Sequence, residues 1–510
     1  MTDVADEPTA DETRWRGRGS RALDLALMAT AIVILLSWLA LALAHVGDRY
    51  GIGWVQGSWM ALARYTNAGI LYPPLFDGHA HGGTRFMPLP FILHAGAARV
   101  TGEYLMSGKV VGYLCFALLL GVTLVALKKL KCSTPLALAL VASIIVTNAG
   151  LLSATRIQGD ALPVALQLAA VTVIVSFPDR RAAVVAAALS VLGVLSKTSA
   201  VWAPVAITIW MLARDRRRLL PYLASFAIVL GVLVTVLHVI SGGRMLASLL
   251  GLTFAGVGDV SSLRDSPYNL LWQFATFAAA AWALVPLALL GAVANVGRRE
   301  AEIFYISLAC EIGIMLVVVA DRGVTQNHLI DLVVLTMVAT AGVWVPAQEV
   351  DRGRPPLATM AIAVIVVWVA ATSYALTIYP DARHAVKLLV TRQTDSTLAA
   401  DAFARRIASR ASVLSEDPSV PVSLGQLPVV LDAWMLRVLS RGHPEWTDSL
   451  AQRIERKEFN VVVLARALEG NEAWYRGVHF GRRVSEAIAR NYRFSEHVGD
   501  YYLYVPAAAP

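Results

Sequence analysis

The sequence predicts an all-α polytopic membrane domain of about eleven spanning helices with a large first external loop, followed by a small external α/β domain. Three observations predict it. Of the 510 residues, 57% are hydrophobic and only 16% are charged, whereas soluble domains carry about 25% charged residues. Apolar runs long enough to enter or cross a bilayer recur from residue 22 to residue 379. Lys and Arg collect in alternate loops, so the net charge of +8 reads as a cytoplasmic-loop bias and not as a nucleic-acid surface. The three cysteines show no disulfide or Cys/His metal spacing: Cys115 and Cys310 lie in apolar runs and Cys132 in a Lys-rich loop.

Residues 1–21 read as a cytoplasmic tail, disordered over its polar first part, and Arg14, Arg16, Arg18 and Arg21 precede the apolar run 22–45. A signal peptide has an apolar core of about 7–15 residues. This run is longer and reads as a retained first helix. Further helices are expected near 108–127, 135–150, 160–177, 182–196, 200–213, 219–240, 268–293, 301–320, 329–347 and 356–379. Basic groups follow every second one: Lys128, Lys129 and Lys131; Arg180 and Arg181; Arg214, Arg216, Arg217 and Arg218; Arg298 and Arg299; Arg352 and Arg354. The positive-inside rule then puts the N-terminus in the cytoplasm and the C-terminal domain outside.

The transmembrane domain is expected over 22–379, with 46–107 as its first external loop, and the soluble α/β domain over 380–510. Within the loop, GSWMALARY (57–65) and LPFILHAGAARV (89–100) read as amphipathic interfacial helices. In the soluble domain, TLAADAFARRIASR reads as a helix and PVVLDAWMLRVLS as a strand edge or helix. FNVVVLARAL and DYYLYVP read as strands.

The outer ends of the helices carry the polar groups. Asp48 and Arg49 follow the first helix, and FDGHAHGGTRFMPLPF (76–91) adds Asp77, His79, His81 and Arg85. SATRIQGD holds Arg156 and Asp160, four apart and able to pair on one helical face. LSKTSA holds Lys197, and ADRGVTQNHLID holds Asp321, Arg322, Asn327, His328 and Asp331. Any one of these is adequately explained as an interfacial charge. Together, on the face opposite the basic loops, they argue for a shared cavity. Arg85, Arg156, Lys197 and Arg322 suit a phosphate. Asp48, Asp77 and Asp160 are candidates to take a proton from a hydroxyl. Asp77, His79 and His81 are the candidate metal ligands, against the simpler reading of a solvated turn. Glu311, inside an apolar helix, is either functional or a hydrogen-bond partner of a neighbouring helix.

In order along the chain, AGILYPPL, GTRFMPLPFILHAGAARVTGE, TRIQGDALPVALQLAAV, SVLGVLSKTSAVWAP and GVTQNHLIDL resemble segments of the GT-C class of integral-membrane glycosyltransferases. The likeness is to the protein-mannosyltransferase-like and aminoarabinose-transferase-like branch and spans roughly residues 22–380. It implies inverting transfer of a hexosyl or pentosyl group from a polyprenyl-phosphate-sugar donor to an envelope glycan, lipid or protein. The place would be the outer face of the bacterial cytoplasmic membrane. It also implies a first-loop aspartate as base or metal ligand. Counted from ILY at 70–72, the acidic positions of the family fall at Trp54–Gly57, where this chain has WVQG and no acid. Asp48 or Asp77 is expected to serve instead. Arg85, Arg156, Asp160, Lys197, Arg322, Asn327 and His328 are expected to bind donor phosphate and sugar. No cofactor is required if Arg and Lys neutralise the phosphate, but a divalent cation (Mg or Mn) stays open because some relatives use one. Two other functions are weighed: a non-catalytic GT-C-like assembly partner in envelope biogenesis, and a lipid or sugar transporter. One-sided polar clusters and the lack of a repeat speak against the transporter.

Overall fold

The structure, a computed structural model, describes residues 10–50, 52–252, 260–321, 324, 326–351, 357–392, 407 and 412–508. Helices α1 (Ala10–His45), α2 (Trp54–Asn67), α3 (Pro88–Thr101), α4 (Tyr104–Lys129), α5 (Thr134–Ile145), α6 (Asn148–Thr155), α7 (Ala161–Ser176), α8 (Arg180–Val194) and α9 (Trp202–Arg214) come first. Then follow α10 (Arg216–Ile240), α11 (Arg244–Leu252), α12 (Val260–Phe277), α13 (Ala279–Ala294), α14 (Arg299–Val318), α15 (Ile330–Ala341), α16 (Trp344–Val350), α17 (Leu357–Thr377) and α18 (Tyr379–Thr391). A 3-10 turn, Gln326–Leu329, leads into α15.

Every apolar run expected from the sequence coincides with helix, but fewer of them are long enough to cross a bilayer. Among the described residues six helices pass by length and composition, and eight if each of two bent pairs is one span. The pair α5–α6 bends by 79° at Thr147, whose hydroxyl caps α6 by accepting from Gly150 N, and α12–α13 bends by 112° at Ala278. Helices α7 and α9 are apolar but short. The protein is a multi-pass membrane protein whose bundle mixes full spans with shorter buried helices. Its axis is α15, in which every residue from Ile330 to Ala341 is buried. A helix apolar on all sides must be enclosed by others, and α15 packs against α13, α14 and α5. Helix α18 packs on α1, and its Ala382 and Ala385 join the core of the bundle.

The C-terminal domain has a four-stranded sheet in the order β1-β2-β4-β3, with β1 (Val413–Ser415), β2 (Val461–Leu464), β3 (Tyr492–Val498) and β4 (Tyr501–Pro506). The β1–β2 pair is parallel and the others are antiparallel. VVVL of β2 is buried at every position, as expected of a strand covered on both faces. Helices α19 (Ser419–Ser423), α20 (Ala433–Leu439), α21 (Pro444–Glu455), α22 (Glu472–Gly477) and α23 (Arg482–Asn491) surround it. PVVLDAWMLRVLS thus contributes the helix α20, capped by Asp432, which accepts from Trp434 N and Met435 N. The helix expected over TLAADAFARRIASR falls almost wholly outside the described residues.

The first loop joins the two parts. Helix α2, expected to lie at a membrane interface, is instead buried through most of its length and packs against α3, α4 and α19. Ser58 Oγ donates to Leu431 O (2.9 Å), and Tyr65 OH donates to Pro428 O (2.9 Å). His81 forms a parallel bridge with Val430: His81 N donates to Val429 O (2.7 Å) and Leu431 N to His81 O (2.9 Å). Arg49 Nη2 donates to Asp417 Oδ2 (2.8 Å) and Ser419 Oγ (2.6 Å), and also meets Tyr501 OH. Gly57 permits this seat, because a Cβ there would lie 2.2 Å from Asp417 Oδ1 and 2.8 Å from Ser419 N.

Behind the seat, Glu416 is buried and fully bonded. It accepts from Ala465 N (2.8 Å), Tyr475 OH (2.9 Å) and Trp474 Nε1 (3.3 Å), and pairs with His479 Nδ1 (2.5 Å). Burial pushes its carboxyl up, but the bonds led by His479 outweigh this and hold it below the ordinary carboxylate range.

Two outcomes are expected. Gly57→Ala should lower stability by about 1–3 kcal/mol, the usual cost of overpacking, seen as a lower thermal midpoint of the full chain in detergent. Because the Glu416 pKa is depressed on folding, its stabilisation is present above its unfolded value near 4.5 and is lost as pH falls through the folded value. The unfolding midpoint of the full chain should exceed that of Glu416→Gln at neutral pH, and the two should converge in acid.

Candidate functional site

Two polar clusters form where helix ends meet the first loop. One is built at the end of α1. His45 Nδ1 lies 2.6 Å from Asp48 Oδ2, and Tyr50 N donates to Asp48 Oδ1 (2.8 Å). Asp48 is 5% exposed. The His45 and Tyr50 rings stack at 4.2 Å. Lys109, fully buried on α4, donates to Tyr50 O (2.5 Å) and His45 O (3.3 Å), which pins the turn that carries Asp48. Tyr50 OH donates to Asp381 Oδ2 (2.5 Å) on α18. Lys109 is within electrostatic reach of both Asp48 and Arg156. Arg156 Nε is buried and has no hydrogen-bond partner among the described residues.

The second cluster centres on Lys197. Its Nζ lies 2.9 Å from Asp160 Oδ1, and Asn327 Nδ2 donates to Asp160 Oδ2 (2.9 Å). Asp331, on the buried axis helix, accepts from Trp202 Nε1 (2.8 Å). Buried Glu311 faces both Lys197 and Asp331. His328 lies in the field of Lys197 and Arg85. Arg85 pairs with Asp321, and its guanidinium sits 5.2 Å from the Trp434 ring of the soluble domain.

The segment 156–160 links the clusters, but not as the expected helical pair. Helix α6 ends at Thr155 and Arg156 is extended (φ −104°, ψ 161°), so Arg156 and Asp160 share no helical face. Asp160 pairs with Lys197 instead. The segment packs tightly on α4, because a Cβ at Gly112 would lie 2.8 Å from Arg156 O. A narrow, mostly apolar cleft opens here, lined by Trp59, Pro90, Gly108, Gly112, Gln158 and Gly159 among others.

The stretch FDGHAHGGTRFMPLPF divides between the two parts of the protein. Arg85 joins the Lys197 side. Asp77 is exposed and caps its own turn by accepting from His79 N (2.9 Å) and Ala80 N (2.7 Å). Burial opposes these bonds, but they prevail and hold its carboxyl below the ordinary range. His79 is exposed, and its carbonyl receives Arg453. His81 is buried against the soluble domain with Nε2 3.0 Å from Trp446 O, and burial pushes its imidazole below the usual histidine range. Among the described residues no group of three or more His, Cys, Asp or Glu is placed to hold a metal ion. Asp77, His79 and His81 therefore do not form a ligand set, and no step is assigned to a metal.

Of the residues singled out from the sequence, Asp160, Lys197, Asn327, His328 and Arg85 gather on one side and Asp48 and Arg156 on the other. Asp77 joins neither cluster, and Arg322 lies outside the described residues. His45, Lys109 and Asp381 were not anticipated. Lys109 did carry a signal, as a lone cation inside an apolar run.

No family model and no curated protein sequence matches this chain. Solved structures do. ArnT from Cupriavidus metallidurans bound to undecaprenyl phosphate superposes with a TM-score of 0.60 at 11% identity, covering 94% of this chain and 98% of that one. The oligosaccharyltransferase AglB from Archaeoglobus fulgidus, in complex with an inhibitory peptide and a dolichol-phosphate, gives 0.54 at 12% identity, covering 94% and 74%. This chain has the fold of the GT-C membrane glycosyltransferases.

Proposed function

We propose that this protein transfers a sugar from a polyprenyl-phosphate-linked donor to a hydroxyl of an envelope glycan, lipid or protein, with inversion. The reaction takes place at the outer face of the bacterial cytoplasmic membrane, with the N-terminus in the cytoplasm and the soluble domain outside. The observation that carries this is the buried Asp48–His45 pair, 2.6 Å apart, in the same electrostatic neighbourhood as the unpartnered Arg156 guanidinium. A carboxylate and a phosphate-binding cation at the outer end of the bundle are the two groups such a transfer needs. The bound undecaprenyl phosphate and dolichol-phosphate of the structural neighbours support the donor class.

In this mechanism Asp48 takes the proton of the acceptor hydroxyl as its oxygen bonds the anomeric carbon. The bond from that carbon to the phosphate oxygen breaks on the opposite face, and the polyprenyl phosphate leaves with the electron pair. Its developing charge meets preoriented cations in a water-poor site, where such contacts act most strongly. Arg156 has donor capacity to spare. Lys197 and Arg85 are paired with Asp160 and Asp321, so a phosphate there shares them with a carboxylate. Asp160, Asn327 and His328 then face the sugar, and Arg322 adjoins this side in sequence. His45 holds the Asp48 carboxylate in register.

A second function is favoured by one observation. The place of the missing acid, Trp54–Gly57, is filled by contacts with the soluble domain: Trp54 packs on His479 and Gly57 on Asp417. That suits a non-catalytic GT-C-like assembly partner, which would bind donor without turnover.

Purified protein in proteoliposomes, supplied with radiolabelled polyprenyl-phosphate sugars and envelope extract, separates these functions. Asp48→Asn should lower kcat at least about 100-fold, the usual range for losing a general base. Asp77→Asn should stay within about twofold, because its carboxylate serves only its own turn. Arg156→Gln should depress donor binding and turnover together. Unchanged transfer by Asp48→Asn overturns the assignment of the base, and donor binding with no transfer by the wild type favours the assembly partner.

A further inference from the structure

The soluble domain holds a buried histidine that the mechanism above does not use. His479 has no exposed surface. It lies between two indoles, Trp54 of the first loop (ring centroids 4.7 Å apart, edge-on) and Trp474 (4.9 Å). Its Nδ1 is 2.5 Å from Glu416, whose carboxylate also takes bonds from Ala465 N, Tyr475 OH and Trp474 Nε1. An ionised carboxylate can only accept, so Nδ1 carries the hydrogen and Nε2 is left for another partner. That Nε2 is buried with no hydrogen-bond partner among the described residues. Folded proteins leave few such atoms, and each calls for a reason.

The surroundings indicate what bonds to it. Trp54, Trp474 and Trp434 are all partly exposed at this junction. Ala433 O accepts from Phe480 N (3.0 Å), which ties the start of α20, and with it Trp434, to the His479 segment. Arg466 lies 4.1 Å from the Trp474 ring and Arg85 5.2 Å from the Trp434 ring. Flat indoles suit the C–H faces of a sugar ring, and a few convergent polar groups fix its hydroxyls. An anion is disfavoured, because His479 backs onto the Glu416 carboxylate and Asp432 lies in its field. Trp54 is partly exposed and is the first residue of α2, so a sugar reaches the enclosed Nε2 by displacing this indole.

We propose that His479, with Trp54 and Trp474, forms a subsite for a neutral sugar unit of a glycan, whose hydroxyl hydrogen-bonds His479 Nε2. Its role as an acceptor subsite rests on the transferase function proposed above; the binding itself does not. Glu416 is a positioning residue, holding Nδ1 so that Nε2 is left to meet the sugar. The place the sequence left without an acid thereby becomes the place where the soluble domain contributes a sugar contact.

The test is calorimetric titration of the full-length protein in nanodiscs with neutral trisaccharides of glucose, mannose and arabinofuranose. At least one should saturate the wild type, and its Kd should rise at least tenfold in His479→Gln and in Trp54→Ala. Trp54→Ala keeps the test valid where His479→Gln perturbs folding. Saturation by none of the three, or an unchanged Kd in both variants, overturns the subsite. His479-dependent binding by a wild type that never consumes lipid-linked sugar would sink the transferase function and leave the subsite standing. Sugar transfer alongside trisaccharide binding indifferent to both substitutions would do the reverse.

Discussion

The Arg49 guanidinium is the contact on which the junction of bundle and C-terminal domain depends. It leaves the end of α1 and reaches Asp417, Ser419 and Tyr501 in the soluble domain. Its side chain is 10% exposed, so the charge is tolerable only while its partners stay in place. Removing one partner of such a pair costs about 3–5 kcal/mol, because the remaining charge is stranded. Asp48 is the preceding residue and turns the other way, to His45 and the backbone held by Lys109. Two consecutive side chains thus tie the chemistry of the bundle to the seat of the soluble domain. Any shift of that domain is felt at Asp48 through a single peptide unit.

The charged groups of the membrane unit follow a related logic. Lys197 is surrounded by Asp160, Asp331 and Glu311, and Arg85 is matched by Asp321. A low-dielectric interior does not store unpaired charge, so these cations are kept on carboxylates. Under the proposed function, a lipid phosphate would compete with those carboxylates for the same cations. Arg156 keeps a buried Nε with no hydrogen-bond partner among the described residues.

Much of the membrane architecture was legible in the sequence, because bilayer physics acts locally. Long apolar runs and alternating basic loops located helix after helix, from Arg21–His45 to Leu357–Thr377. The breaks were not legible: nothing in the apolar pattern marks the 79° bend at Thr147 or the 112° bend at Ala278. The polar clusters were half legible. Residue type pointed to Asp160, Lys197 and Asn327, but pairing by sequence spacing chose Arg156 for Asp160, and the fold chose Lys197. The contacts that matter most were out of reach, since Arg49 and Asp417 are 368 residues apart. FDGHAHGGTRFMPLPF shows the same limit: His81 looked like a ligand, and its backbone instead extends the soluble domain by one β-bridge.

The most direct measurement is the stoichiometry of lipid product to transferred sugar. Wild-type protein in proteoliposomes, given a polyprenyl-phosphate sugar and acceptor, should release free polyprenyl phosphate in an amount equal to the sugar transferred, with the anomeric configuration inverted. Movement of the intact lipid-linked sugar across the bilayer, or tight binding without release of polyprenyl phosphate, would contradict the account.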